Sequence, residues 1–283
     1  MSEANGRTHH YHADATILEG DLQLPLSNKS NKIQSQAHAA LGHVGGYFHQ
    51  RQEDFRMEGV VSFSAAYSQV AGNLEVKPGR GWATLSTTVV EDLNILEILT
   101  ADRIVGQIIT EHPLEGYVPI ISFLGTRFEN LRIAGHPVTI DYDHDILGDK
   151  PPSDAAYTLD SALRARVADQ YSHIHATPEL PQDLREKYNQ LSSALGGREA
   201  VECSLVKHVV GAFPGRSFGN VIRIPHFGTV TLAKLQLIHD QFSDHGAPRT
   251  TTVKLTMLDL NLGCAVSGSG SVGAGSTNGE TRP

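Results

Sequence analysis

"GWATLSTTVV", residues 81–90, decides the fold class. Ala83, Leu85, Thr87 and Val89 alternate with Trp82, Thr84, Ser86 and Thr88. A period of two with β-branched residues on both phases marks a half-buried strand, because successive side chains of an extended chain point to opposite faces. The same pattern spreads outward. "VVSFSAAYSQVAG" (60–72) places Val61, Phe63 and Ala65 on one face, with a turn expected at Gly72-Asn73. "LRIAGHPVTI" (131–140) reads as a hairpin: Leu131 and Ile133 precede the turn, Val138 and Ile140 follow it, and Gly135 permits a positive φ. Strands resume at "EAVECSLVKHVV" (199–210), "NVIRIPHFGTVTLAKLQLI" (220–238) and "TTTVKLTMLDLNLGC" (250–264). In the last of these, Val253, Leu255 and Met257 share one parity, while Leu258, Leu260 and Leu262 take the other. That change of phase predicts a bulge or a bend from one sheet into another.

Between the strand regions the period changes. Leu159, Leu163, Val167, Tyr171 and Ile174 fall at helical spacing from Ser153 to His175, with Ser153 as the expected cap. A second helix is expected over Gln182 to Leu195, with Leu184, Tyr188, Leu191 and Leu195 on one stripe and Gly196-Gly197 as its stop. The expected architecture is mainly β: an antiparallel β-sandwich or partly closed barrel with an inserted α-helical hairpin at 152–197. One β-rich domain would span 13–275. Residues 1–12 are polar, and 276–283 close the Gly/Ser-rich "SGSGSVGAGSTNGETRP"; both ends are expected to be disordered.

"STTVVEDLNILEILTADRIVGQI" followed by "ISFLGTRFENLRIAGHPV" resembles the strand pattern of uncharacterised bacterial β proteins, among them the choice-of-anchor P domains. The resemblance spans residues 83–140. It implies all-β structure and brings no catalytic motif.

Composition removes several functional classes. The chain has 283 residues and a formal net charge of -8, without a cluster of Lys and Arg that would suit phosphate backbones. No nucleic-acid partner is expected. No apolar run approaches the ~18 residues of a membrane span, and "MSEANGRTHHYHADAT" lacks an apolar signal core, so a cytoplasmic location is the expectation. Two cysteines are too few for a disulfide scaffold; Cys203 lies in a strand, and Cys264 reads as a small buried hydrophobe.

Chemistry-bearing residues concentrate in two places. In "DYDHD" (141–145), Asp141, Asp143 and Asp145 would project to one side of an extended segment, where three carboxylates could hold calcium or magnesium. An EF-hand loop starting at Asp141 would need Gly and Glu where Ile146 and Pro152 stand, so that reading fails. The plain alternative is a solvated acidic loop. The histidines number 15. "HHYH" (His9, His10, His12) and "HIH" (His173, His175) lack the spacing of helical zinc ligands, and His43, His112, His136, His226 and His239 are scattered among strands. No G-x-S-x-G elbow is present, and Gly268, Gly270 and Gly273 open onto no helix that could hold a dinucleotide. Two functional classes follow. One is a β-rich binding or interaction protein, with a small-molecule or protein partner or a second copy of itself. The other is a small-molecule enzyme with a pocket between the sheets and the helical insertion, using His and Asp.

Overall fold

A computed structural model describes residues 2–4, 6–23, 30–57, 59–74, 81–243, 246–263 and 266–282. Nine strands carry the framework: β1 (Arg7–His10), β2 (Ala13–Gln23), β3 (Gly46–Met57), β4 (Val61–Leu74), β5 (Trp82–Ile95), β6 (Leu99–His112), β7 (Gly228–Phe242), β8 (Pro248–Gly263) and β9 (Ser267–Arg282). Shorter strands are named by their residues.

The larger sheet runs Ser2–Ala4, β1, β9, β8, β7, Val221–Ile224 and Arg216–Phe218. On it, β2 also pairs with β9 and carries Ser30–Gln36 and Ala39–Leu41 on its other side, while Ala200–Ser204 pairs with β7. The second sheet is the meander β3-β4-β5-β6, continued by short strands along β6 that end in the hairpin Arg132–Ile133 and His136–Pro137. Every pairing is antiparallel, and neither sheet closes on itself. The architecture is a β-sandwich, not a barrel.

The two sheets meet closely, and small residues make that possible. A Cβ placed on Gly275 of β9 would lie 2.7 Å from Ser86 Oγ of β5, and one on Gly279 would lie 2.6 Å from His112 Cε1 of β6. The Gly/Ser-rich C-terminal stretch is therefore not the disordered tail its composition predicts. It is a 16-residue strand, paired on one side with β8 and on the other with β2 and β1. Glycine here costs backbone entropy, but it lets the strand lie against the opposite sheet without a clash. The N-terminal expectation is corrected for the same reason: β1 pairs with the end of β9, and its His9 and the following Tyr11 are buried.

Both sheets are creased along a line that crosses their strands. On the larger sheet Ala233 (φ 42°) and Gly273 (φ 65°) flank Met257 in register. Met257 and Leu258 are both buried, which is the change of phase read from "TTTVKLTMLDLNLGC". On the second sheet Asp54 (φ 50°) and Asp92 (φ 52°) lie in line, and the inward face passes from Val61 and Phe63 to Ala66, Ser68 and Val70. Ala65, expected to share the face of Phe63, sits at the switch and is only half-buried. Gly72-Asn73 is not a turn; it pairs with Thr84 and Ala83 inside the sheet. In β5 the inward set before the crease is Trp82, Thr84, Ser86 and Thr88, so this half of the interior mixes hydroxyl groups with the apolar cluster of Tyr11, Leu41, Val70 and Trp82.

The helical hairpin lies between Thr139–Tyr142 and Ala200–Ser204 in the chain. Helix α1 (Ser161–Ala176) starts later than expected. Asp160, not Ser153, caps it, accepting from the backbone N–H groups of Ala162 and Leu163. Residues before it form two 3-10 turns, Pro152–Asp154 and Tyr157–Leu159, and Leu159 is 47% exposed. Leu163, Val167, Tyr171 and Ile174 form the buried stripe. Helix α2 (Gln182–Ala194) follows the expected bounds closely and buries Leu184 and Tyr188. Polar bonds tie the hairpin down: the Gln170 side-chain amide donates to Ser204 O at 3.0 Å, and Arg166 donates to Ile146 O at 2.7 Å. Among the described residues no helix is long and apolar enough to cross a membrane.

Candidate functional site

An open groove of about 680 Å³ lies where the link into α2 meets one end of the larger sheet. Its floor is a hairpin of the segment "RSFGNVIRI". Arg216–Phe218 and Val221–Ile224 pair across the two-residue turn Gly219-Asn220, in which Gly219 takes φ 61°. That register sets Arg216 directly opposite Arg223. Two cations facing each other across a strand pair repel, and something must offset the repulsion. The helical insertion does so. Glu179 Oε2 lies 2.5 Å from Arg216 Nη1, and Asp183 Oδ1 lies 3.0 Å from Arg223 Nη1. All four side chains are half-exposed or more, with Glu179 at 73% and Asp183 at 62%. Beyond the arginines the groove is lined by Pro225, His226 and Asn261. The turn holding His226 (φ 62°) is fixed by two backbone bonds, Phe227 N–H to Ile224 O and Gly263 N–H to Phe227 O, at 3.2 and 3.0 Å. Pro181, at the N-cap of α2, also lines the groove and cannot cap the helix, so amide groups of the first turn have no side-chain acceptor there.

The acidic loop does not form a converging set. Asp141 is exposed on Thr139–Tyr142, which pairs with Val206–Val210. Asp143 donates its N–H to Leu205 O at 2.7 Å, and its carboxylate is 3.6 Å from Lys207 Nζ. Asp145 is exposed in a turn whose O accepts from Gly148 N–H at 2.8 Å. The next two residues, Ile146 and Leu147, are buried and anchor that turn. Among the described residues no group of three His, Cys, Asp or Glu is arranged to hold a metal ion. Asp141, Asp143 and Asp145 are thus not among any such group in the described residues, and Lys207 lies beside Asp143.

The histidines divide between surface and interior. His12 and His38 each contact a different oxygen of Asp14, at 2.8 and 3.3 Å, and His10 lies beside His43. His173 contacts Asp169 on its own helix at 3.4 Å. His144 stacks on Tyr142 and bonds to Thr126 O at 2.8 Å. His9, His112 and His239 are fully buried. His9 Nδ1 bonds to Thr281 Oγ1 at 2.9 Å, and its ring stacks on Trp82. Burial, reinforced by His112, holds the His9 pKa down at about 2, and burial holds those of His112 and His239 at about 4. Tyr157 N–H donates to His239 Nε2 at 3.1 Å, so the ring proton sits on Nδ1 and faces Thr251 Oγ1 at 3.0 Å. These are neutral structural groups, and none lines the groove. Cys203 is buried, which pushes its thiol pKa up and away from nucleophilic use. Cys264 lies outside the described residues.

Arg216, Arg223, Glu179 and Asp183 were not legible as a set in the sequence. The available signal was the symmetry of "RSFGNVIR" about Gly219-Asn220, which places two arginines opposite each other once the dipeptide is read as a tight turn. Comparison with curated proteins and with solved structures finds no match. Residues 9–238, most of the chain, match the model of the family described as domain of unknown function DUF8256, and the protein belongs to that family.

Proposed function

We propose that the protein is a β-rich binding protein whose groove takes a small, multiply charged anion, such as a phosphate ester or a di- or tricarboxylate. The supporting observation is Arg216 directly opposite Arg223, each paired with an exposed carboxylate of the insertion. Such exposed ion pairs contribute about 0–1 kcal/mol each, so a ligand oxyanion can replace a carboxylate at little cost. Two guanidinium forks side by side suit bidentate contact with a phosphate or carboxylate group. The uncapped first turn of α2 favours the same sign of charge. The groove's volume falls within the range of small-molecule sites.

The test is a thermal-shift titration with inorganic phosphate, citrate and a nucleoside triphosphate. At least one should raise the melting temperature saturably by binding the native state, and Arg216→Ala/Arg223→Ala should abolish the response. No shift with any anion, or an unchanged shift in the double variant, would overturn the reading.

A further inference from the structure

The outer edge of the second sheet has features that the groove does not explain. Strand β3 is 12 residues long and pairs only with β4 among the described residues. Nearly all of its side chains are exposed or half-exposed. An edge of this length presents a row of open backbone donors and acceptors, and soluble proteins usually blunt such edges with charged side chains, Pro, bulges or brevity. "GYFHQRQEDFRM" has neither Pro nor Lys, its charges include the self-complementary pair Arg51 and Glu53, and its pairing with β4 stays regular from Gly46 to Glu53 before the break at Asp54. At its start stand Val44, Tyr47 and Phe48, which are 75%, 61% and 45% exposed. These are three of the seven large hydrophobic side chains exposed in the described structure, gathered within five residues.

We infer that β3 pairs antiparallel with β3 of a second copy of this chain, forming a homodimer with one continuous sheet. The occupant is identified by charge order along the strand. Arg51 and Glu53 lie on the same face and contact each other at 2.7 Å, with Gln52 between them on the other face. Reversing the strand about a two-fold axis at Gln52 sets Arg51 of each copy opposite Glu53 of the other. Opposite charges facing across a strand pair are favourable, and here the match occurs twice by symmetry. An unrelated strand would have no reason to carry that complementary order. The pairing also satisfies the open backbone groups and takes the exposed Tyr47 and Phe48 partly out of water, beside the far end of the partner strand.

Sedimentation equilibrium of the full chain, from low micromolar to near-millimolar concentration, tests this. The wild type should be a concentration-dependent dimer. Arg51→Glu places glutamates opposite glutamates at both sites and should weaken association by about tenfold. The double reversal Arg51→Glu/Glu53→Arg should restore it, while circular dichroism confirms that each variant remains folded. A second probe, Phe48→Lys, should weaken the dimer without unfolding the subunit. A wild type that stays monomeric throughout, a dimer indifferent to Arg51→Glu, or a double variant that fails to recover would each overturn the proposal.

Discussion

The imidazole rings of His9 and His112 lie 4.7 Å apart, centroid to centroid, inside the sandwich. One comes from the first strand of the framework and the other from the end of β6. Gly279 of β9 fits against both rings because it has no side chain. His9 Nε2 finds no partner among the described residues, nor do Trp82 Nε1, Thr84 Oγ1, Thr110 Oγ1 and Thr277 Oγ1. Neither His112 nitrogen makes a well-formed hydrogen bond, although the nearby Gly279 backbone favours its charged form. Protonating either ring would place a cation in this buried layer, and for His112 the attraction of Asp154 offsets the loss of solvation only in part.

Stability should therefore fall in mild acid. Folding lowers all three buried histidine pKa values from 6.5, to about 4 for His112 and His239 and about 2 for His9. With a depressed native pKa the unfolded chain binds more protons, so the stabilisation is complete above about pH 6.5. It is lost as pH falls toward the native values, at about 1.4 kcal/mol per pH unit for each histidine. Urea midpoints measured from about pH 7.5 to 4.5 should drop steeply below pH 6. His112→Leu should make that slope shallower, and an unchanged slope would show that the ring does not titrate this way.

The C-terminal strand should be indispensable. Ending the chain at Gly275 removes the pairing of Ser276 to Arg282 with β8 and β1, and it leaves His9 without Thr281. It also uncovers the inward faces of Trp82 and His112. The truncated chain should be insoluble or melt well below the full chain, as measured by circular dichroism. Melting like the full chain would mean that this strand contributes little.

Two leucines on the helical hairpin should behave differently. Leu163 is fully buried in α1, so Leu163→Ala should cost about 2–5 kcal/mol by denaturant titration. Leu159 precedes the helix and is 47% exposed, so Leu159→Ala should cost under about 1 kcal/mol. Equal losses would place the two on the same buried stripe.

The acidic loop should not respond to cations. Calcium or magnesium should leave the melting curve unmoved, because the three carboxylates form no metal-holding group among the described residues and Lys207 already lies near Asp143. Asp143→Asn should change stability by less than about 1 kcal/mol, as for other partly exposed ion pairs. A saturable rise with calcium that Asp143→Asn removes would reinstate the site.

Local features of the fold were readable from neighbouring residues alone. The alternation in β5, the bounds of α2 and the phase change at Met257-Leu258 each depend on a few adjacent positions, as does the hairpin at Ala134-Gly135, whose turn is two residues shorter than the expected Ala134 to Pro137. The direction in which a strand faces is a different matter. Trp82, Thr84, Ser86 and Thr88 point inward because β9 lies over them, and although β8 is the neighbour of β9 in the chain, the strands on its other side, β1 and β2, are far away in sequence. Thr281 and His9 are 272 residues apart. A Gly/Ser-rich segment has the composition of a linker, and it becomes a central strand, not an edge, through the distant β1 and β2 on its far side and a close facing sheet. The groove follows the same rule. Arg216 and Arg223 are brought together by one hairpin, but Glu179 and Asp183 reach them through the packing of α2 on the sheet. In the acidic loop the buried Ile146 and Leu147 and the Lys207–Asp143 contact are likewise features that neighbouring residues alone did not reveal.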